Sequence, residues 1–234
     1  MDYVFSPPRQ VALPVIGSSA SYPVRRIFCV GRNYADHARE MGHTGREAPF
    51  FFAKPADAVL AVAAGTTATL PYPAQTQDLQ YEVELVVALG GHGANVPAAA
   101  AGALIWGYAV GIDLTCRDLQ AALKQQGRPW EISKAFDHSA PVSAVQPIAR
   151  SGRIDRGAIW LDVNGQRRQH GDMAMMIWGV DEVLAHLSRY FALAPGDLVF
   201  TGTPAGVGRL QPGDAVRAGI DSVGELALDI GAPD

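Results

Sequence analysis

The amino-acid sequence predicts an α+β fold, mostly β, in which short strands outnumber helices. Asn164-Gly165 separates two runs of alternating apolar and polar residues, which is typical of a β-hairpin with a two-residue turn. Two Pro-Gly-Asp turns, at 195–197 and 212–214, each precede another strand-like run. Few stretches show the apolar spacing of an amphipathic helix, so we expect only a few short helices.

The N-terminal elements are predicted first. Residues 1–24, rich in proline, serine and short apolar runs, are expected to form a small N-terminal appendage, and residues 25–234 the main domain. The run RRIFCVG is strand-like and leads into a short helix. Asn33 is expected to cap this helix and Gly42 to end it, because Asn favours the N-cap and Gly the left-handed conformation after the last turn.

The later elements show the same kinds of signal. FFFAKP and YEVELVVALG are strand-like, and AAAAGALIWGYAVGID indicates a helical turn followed by a strand that ends at Asp113. TCRDLQAALKQQG is predicted to be a helix that Thr115 caps and Gly127 ends. VDEVLAHLSRYF has the spacing of an amphipathic helix.

Composition excludes several classes of protein. The 234-residue chain has a formal net charge of −4 and no Lys/Arg-rich run, which argues against nucleic-acid binding. Cys29 and Cys116 lack paired spacing, so neither a disulfide framework nor a zinc site is expected, and a reducing cytoplasm fits. Residues 85–112 carry no formal charge, but Asn95 and Pro97 interrupt them before the ~20 apolar residues that a bilayer requires. We therefore expect a cytoplasmic protein without a membrane partner.

Two acids interrupt an apolar strand. Glu82 and Glu84 share one face of YEVELVVALG because side chains alternate along a strand, and they lie about 7 Å apart at a rise of ~3.3 Å per residue. Like charges on a dry face repel each other. Either the face is solvated, or a divalent cation such as Mg²⁺, Mn²⁺ or Ca²⁺ binds the carboxylates.

Four further residues are candidates for the chemistry. Asp113 stands at a strand-to-helix junction, where it either caps the helix or serves as a third ligand of the cation. His37 and Glu40, spaced i and i+3 on a predicted helix, form either a surface contact or a pair in which the carboxylate orients an imidazole that deprotonates water. Lys134 lies among apolar residues and faces either solvent or an anionic substrate.

The glycine-containing stretch TGTPAGVG, residues 201–208, has two interpretations. It is a turn after a strand, or a loop whose backbone N–H groups and hydroxyls receive a carboxylate or an enolate. It lacks the GK[ST] ending of a phosphate loop, and no GxGxxG occurs in the chain, so nucleotide binding is not supported. No G-x-S-x-G is present either, which argues against a serine hydrolase.

Seven stretches in this order resemble the fumarylacetoacetate hydrolase family, and they span nearly the whole chain from about Arg26. They are IFCVGRNYADHAREM, PFFFAKPADAV, YEVELVVALG, GYAVGIDLTCRDLQ, GRPWEISKAFDHSAPV, LDVNGQRRQ and PGDLVFTGTPAGVG. The resemblance implies a mixed β-roll or β-sandwich with a few short helices in the main domain, and a homodimer. Within the family, YVF, PVRRIFCVGRNY and FFFAKPADAV are most like the bacterial fumarylpyruvate hydrolases of gentisate breakdown.

The resemblance also implies a role for each candidate residue. The metal ligands, for Mg²⁺ or Mn²⁺, would be Glu82, Glu84 and Asp113. The catalytic residues would be the water-activating pair His37 and Glu40, together with Lys134. The bound keto acid would contact Arg117, Gln120 and Thr203. Tyr81 stands where many relatives carry His, and by strand alternation it is expected to face away from the metal.

The implied reaction is metal-dependent hydrolysis of the C3–C4 bond of an acylpyruvate (a 2,4-dioxo acid), with fumarylpyruvate giving fumarate and pyruvate. One alternative is a decarboxylase or isomerase that acts on oxaloacetate-like or unsaturated 2-keto dicarboxylic acids with the same metal site. Another is a non-enzymatic binding module whose acids form a solvated face. An intact His37–Glu40 pair favours hydrolysis, because only hydrolysis requires an activated water.

Overall fold

The structure, a computed structural model, describes residues 2–35 and 47–233. Its β-strands are β1 (Ala12–Pro14), β2 (Ser21–Pro23), β3 (Arg26–Gly31), β4 (Phe50–Lys54), β5 (Val59–Val62), β6 (Ala68–Tyr72), β7 (Leu79–Tyr81), β8 (Val83–Leu89), β9 (Ile105–Ile112), β10 (Thr115–Cys116), β11 (Ala140–Ser143), β12 (Gln146–Pro147), β13 (Ala158–Val163), β14 (Gln166–Asp172), β15 (Asp197–Phe200), β16 (Gly208–Arg209), β17 (Ala215–Ile220) and β18 (Gly224–Pro233). Its α-helices are α1 (Ala98–Ala101), α2 (Arg117–Gln125), α3 (Glu131–Lys134), α4 (Ile148–Ser151) and α5 (Val180–Leu187). Short 3-10 turns cover Ala56–Ala58, Gly102–Leu104 and Met173–Met175. The mostly-β prediction with a few short helices is confirmed.

An eight-stranded mixed sheet forms the centre of the fold. Its strand order is β4-β3-β15-β8-β9-β11-β5, with β12 also paired to β9. The β3–β15 and β5–β11 pairs are parallel, and the other pairs of this sheet are antiparallel. Strands β8 and β9 are buried along almost their whole length, so the sheet has packed layers on both faces.

Two hydrophobic clusters lie on opposite faces of this sheet. Leu85 and Val87 of β8 point into the larger cluster, which also receives apolar side chains from the five-stranded sheet of order β14-β13-β17-β18-β6. Val86 and Ala88 point into the smaller cluster, which includes Leu13 of the β1–β2 hairpin. This alternation along β8 places Glu84 on the face of the smaller cluster.

The predicted turns are confirmed. Asn164 (φ 52°) and Gly165 (φ 74°) both adopt left-handed conformations between β13 and β14, as a two-residue hairpin of the primed type requires. Gly196 and Gly213, each with φ 92°, precede β15 and β17 in the two Pro-Gly-Asp turns. The helix predicted in VDEVLAHLSRYF is α5.

The prediction that Thr115 caps a helix is wrong. Helix α2 begins at Arg117, and its N-cap residue is Cys116. Thr115 belongs to the two-residue strand β10, which pairs with β7, and its Oγ1 donates to the carbonyl of Asp113 (3.3 Å). The strand pairing therefore holds Thr115 in an extended conformation, and the helix starts two residues later. Gly127, with φ 61°, follows the end of α2 as predicted.

The helix predicted from Asn33 to Gly42 falls almost entirely outside the described residues. Asn33 itself is fully buried, and its side-chain amide connects two other segments. Its Nδ2 donates to the carbonyls of Trp178 (2.9 Å) and Thr201 (2.8 Å), and its Oδ1 accepts from the Trp178 N–H (2.8 Å). In the described parts of the chain, no helix has both the length and the apolar character needed to cross a membrane.

Candidate metal centre and substrate cavity

Three carboxylates converge where the central strands end. Glu82 links β7 to β8, Glu84 is the second residue of β8, and Asp113 follows β9 directly. The antiparallel register pairs Glu84 with Gly111, and the Asp113 N–H donates to the Glu82 carbonyl (2.8 Å), which brings the three residues together. Each offers a carboxylate oxygen within 4.8 Å of the others, and all three are at most 5% exposed. The solvated-face alternative for the two glutamates is therefore excluded.

Tyr81 faces away from this acidic cluster, as predicted. Its side chain belongs to the larger hydrophobic cluster together with Val83 and Leu85. The alternation along the strand therefore separates the carboxylates of Glu82 and Glu84 from the larger hydrophobic cluster.

Three cationic side chains form ion pairs with two of the three acids, Glu82 and Asp113. Lys134 Nζ lies 2.7 Å from Asp113 Oδ2 and 2.9 Å from Glu82 Oε2, and Arg117 forms an ion pair with Glu82. Lys54 Nζ lies 2.9 Å from Asp113 Oδ1. Burial lowers the pKa of Lys134, but the charges of Asp113 and Glu82 outweigh burial, and the net pKa is raised. Lys134 therefore stays charged at neutral pH.

Sequence analysis missed Lys54, which is only 1% exposed. Its ammonium donates to the carbonyls of Ser139 (3.1 Å), Leu114 (3.3 Å) and Lys134, so it ties the end of β9 to helix α3. A lysine at the end of the apolar run FFFAK was the one available signal, because a buried lysine needs an acid and several acceptors around it.

Glu84 differs from the other two acids in its partners. Its Oε2 accepts from the Gly202 N–H at 2.6 Å. Burial, followed by the charges of Asp113 and Glu82, raises the pKa of Glu84 well above its usual value. Gly202 makes this approach possible: it has φ 94°, and a Cβ there would lie 2.7 Å from the Cβ of Asn33. The TGTPAGVG loop therefore supplies a backbone donor to the acidic cluster.

The predicted substrate-contacting residues line the same cavity. It has a volume of about 50 Å³, and it is bounded by Glu82, Glu84, Asp113, Lys134, Arg117, Gln120, Lys124, Arg32, Gly202, Thr203, Val30, Gly31, Phe50, Phe52 and Trp130. Arg117 donates to Gln120 Oε1 (2.7 Å), so neighbouring turns of α2 present both polar groups. The cavity thus combines a charged floor with an aromatic wall.

Thr203 is held by a buried glutamine that sequence analysis also missed. Gln169, which is fully buried on β14, donates from Nε2 to Thr203 Oγ1 (2.8 Å) and to the Pro204 carbonyl (2.8 Å). Its Oε1 accepts from the Val83 N–H (3.0 Å). The five-stranded sheet therefore positions the TGTPAGVG loop relative to the strand that carries the acids.

Two predicted catalytic residues, His37 and Glu40, lie outside the described residues, so their pairing stays a prediction. The structure brings the other predicted site residues together in one cavity, while their roles in binding and catalysis stay predictions as well. It adds Arg32, which precedes the undescribed segment and lines the cavity with φ 59°, a conformation rare for a residue other than Gly.

The donor set fits a hard divalent cation. Three buried carboxylates offer the oxygen ligands that Mg²⁺, Mn²⁺ and Ca²⁺ prefer. The raised pKa of Glu84 indicates that its ionised form lacks enough compensating positive charge, and a divalent cation would supply that charge.

Comparisons with known proteins agree with this arrangement. The family model "Fumarylacetoacetate (FAA) hydrolase C-terminal" matches residues 26–230. The crystal structure of fumarylpyruvate hydrolase from Pseudomonas aeruginosa in complex with Mn²⁺ and pyruvate is 51% identical, with a TM-score of 0.97 over 99% of this chain and 100% of that chain. A putative fumarylpyruvate hydrolase from Burkholderia cenocepacia is 50% identical, with a TM-score of 0.92 over the full length of both chains. The mitochondrial oxaloacetate tautomerase FAHD1 of Rattus norvegicus is 42% identical over 88% of this chain and 91% of its own. The chain therefore belongs to the fumarylacetoacetate hydrolase family.

Proposed function

We propose that this enzyme hydrolyses the C3–C4 bond of an acylpyruvate, with fumarylpyruvate as substrate and fumarate and pyruvate as products. The observation that carries the proposal is the buried cluster of Glu82, Glu84 and Asp113 in a chain 51% identical to a fumarylpyruvate hydrolase crystallised with Mn²⁺ and pyruvate. Pyruvate is one of the two products of this cleavage.

The three carboxylates would hold Mg²⁺ or Mn²⁺. A divalent cation there would supply a Lewis acid that stabilises the enolate oxygen of the leaving pyruvate. Lys134, charged and only 3% exposed, adds a second fixed positive charge at the same end of the cavity. Arg117 and Gln120 are available to bind and orient the keto acid, since both line the cavity and are already hydrogen-bonded to each other.

Hydrolysis also needs a base for the attacking water. We assign this task to His37, oriented by Glu40, on the strength of the sequence motif alone. The base takes a proton from water as the hydroxide adds to the C4 carbonyl, and cleavage of the C3–C4 bond then leaves a carboxylic acid and the enolate of pyruvate. Protonation of that enolate at carbon completes the reaction.

A second candidate function has its own support. The 42% identity to an oxaloacetate tautomerase favours enolisation of a short 2-keto dicarboxylate in the same cavity. Decarboxylation of such acids uses the same enolate chemistry. These reactions move a proton or release CO₂ without adding water, so they require the acidic cluster and Lys134 but no water-activating pair.

One spectrophotometric experiment separates the candidates. The ultraviolet absorbance of fumarylpyruvate is followed with purified protein and Mn²⁺ or Mg²⁺, and then after EDTA, while fumarate and pyruvate are quantified. We expect loss of absorbance that requires metal and equal amounts of both products. No loss with fumarylpyruvate, together with faster keto–enol exchange or CO₂ release from oxaloacetate, would reject hydrolysis and favour the second candidate.

We further propose that the protein acts in the cytoplasm as a homodimer. Both cysteines, Cys29 and Cys116, are buried and unpaired, as a reducing compartment allows. Light scattering after size-exclusion chromatography tests the assembly, because a single 24.8 kDa species at micromolar concentration would contradict a stable dimer.

A further inference from the structure

We propose that Arg32 binds the distal carboxylate of the substrate and so makes the enzyme select dicarboxylic keto acids over monocarboxylic ones. This inference rests on the proposed function, because it concerns the end of the acylpyruvate that is remote from the 2-keto acid group and the C3–C4 bond. It assigns a specificity role to a residue outside the acidic cluster and its cations.

The backbone holds Arg32 in an unusual conformation. Its φ of 59° lies in the left-handed region, which costs energy for a residue with a Cβ, and such positions persist where the surroundings enforce them. Gly31, before it, pairs with Phe50 at the end of β3. Asn33, after it, is fixed by hydrogen bonds to Trp178 and Thr201. Arg32 is therefore constrained on both sides.

The conformation directs the guanidinium to the cavity. The Phe50 ring lies over Gly31, where a Cβ would come within 2.0 Å of the ring atom Cζ. Arg32 Cζ sits 5.2 Å from the centroid of the same ring, and the residue lines the cavity that contains the acidic cluster. Stacking on an aromatic face orients a guanidinium and leaves its N–H edge available for a carboxylate.

Arg32 differs from the other cations of the cavity in its partners among the described residues. Lys54, Lys134 and Arg117 all form ion pairs with Glu82 or Asp113. Among residues 2–35 and 47–233, by contrast, no carboxylate lies within ion-pair distance of Arg32. An arginine that lines a substrate cavity and meets no acid in the described chain matches a planar carboxylate, which it can bind through two parallel hydrogen bonds.

Substrate chemistry fixes which carboxylate this is. The first carboxylate and the 2-keto oxygen are common to all acylpyruvates and belong to the end where the bond breaks. Fumarylpyruvate carries a second carboxylate at its far end, whereas acetylpyruvate ends there in a methyl group. Loss of an arginine that binds the far end should therefore affect only the first of these two substrates.

The kinetic test compares Arg32→Met with wild type on both substrates, with Arg189→Met as a control that removes an exposed charge remote from the cavity lining. Met keeps most of the side-chain length and the same backbone strain. We expect kcat/KM for fumarylpyruvate to fall about 10- to 100-fold, the usual effect of losing a hydrogen bond to a charged group. Turnover of acetylpyruvate should stay unchanged, and Arg32→Lys should restore part of the loss.

Equal losses on both substrates would overturn the proposal, because Arg32 would then act on the shared end or on folding. Unchanged kinetics of Arg32→Met on fumarylpyruvate would overturn the proposal as well. So would a loss on fumarylpyruvate alone that occurs in Lys124→Met and not in Arg32→Met. A binding measurement is independent of turnover: calorimetric titration of the Mn²⁺-loaded protein with 2-oxoheptanoate and with 2-oxoheptanedioate, which have the chain length of fumarylpyruvate and differ only by the carboxylate at C7. We expect Arg32→Met to remove a wild-type preference for the dicarboxylate. If wild type turns over neither acylpyruvate, the proposed hydrolysis fails, and this titration still decides the role of Arg32.

Discussion

Replacing Glu84 by Gln should make the metal-free protein more stable and should reduce the stabilisation that Mn²⁺ provides. Gln keeps the size of the side chain and still offers an oxygen to the Gly202 N–H, which donates to Glu84 Oε2 at 2.6 Å. The substitution therefore removes one buried negative charge and little else. Any change in stability then reports on the charge itself.

The size of the effect follows from the geometry. Two unit charges 4.8 Å apart repel by about 3.5 kcal/mol at an effective dielectric constant of about 20. Lys134 offsets part of this repulsion, and the raised pKa of Glu84 means that a bound proton offsets more. We therefore expect the variant to gain on the order of 1 kcal/mol without metal. Wild type, by contrast, should gain about 2.7 kcal/mol from Mn²⁺ at 100 times its Kd.

Thermal unfolding measures both effects. For a chain of this size, about 1 kcal/mol corresponds to a Tm shift of about 2–4 °C, so saturating Mn²⁺ should raise the wild-type Tm by about 5–11 °C. In EDTA the Glu84→Gln variant should unfold at a slightly higher temperature than wild type, and in Mn²⁺ at a lower one. An equal Mn²⁺ shift in the two proteins would show that Glu84 is not a metal ligand.

The remaining predictions concern a buried cation, the pH dependence of metal binding and the water-activating base. Lys54→Met should cost about 3–5 kcal/mol in urea unfolding, because it removes one of the two lysines that pair with the buried Asp113 and leaves three buried carbonyls without their donor. Arg217→Met, which breaks an exposed ion pair, should cost at most about 1 kcal/mol, and equal costs would contradict the structural role of Lys54. The raised pKa of Glu84 means that Mn²⁺ displaces a proton wherever this carboxyl group is protonated, so the apparent affinity should rise as the pH increases above the usual range of a glutamate pKa. Calorimetry in two buffers should detect the proton release, and a pH-independent affinity would oppose this. His37→Ala should retain Mn²⁺ binding and lose about 10²- to 10⁴-fold in turnover with fumarylpyruvate, and near-wild-type turnover would remove His37 as the base.

Local patterns in the sequence predicted much of the fold. Asn164-Gly165 specifies its hairpin because few other residue pairs tolerate two successive left-handed conformations. The alternation in YEVELVVALG placed Glu82 and Glu84 on one face, since that periodicity is a property of any strand. Thr115 failed as a helix cap because a partner strand, remote in sequence, holds it in an extended conformation. Local propensity carries no information about such a partner.

The candidate site was predictable only in part, for a similar reason. The acids stood out because charges are rare in apolar strands. Lys54 and Gln169 gave little signal, since their importance lies in partners at least 34 residues away along the chain. Arg32 showed no unusual feature in the sequence, because its left-handed backbone is imposed by the neighbours Gly31 and Asn33 and by the segments that they contact. Tertiary contacts, more than residue type, distinguish these three side chains from other lysines, glutamines and arginines of the chain.

The ion pairs that Glu82 and Asp113 form with lysine and arginine have a consequence for the order of assembly. Lys54, Lys134 and Arg117 already balance most of the negative charge of the cluster, so the chain carries its own counter-ions. Small metal-dependent domains that lack such counter-ions remain unfolded until the ion arrives. We therefore expect this chain to fold before it binds a cation, so that metal loading is a separate and later event.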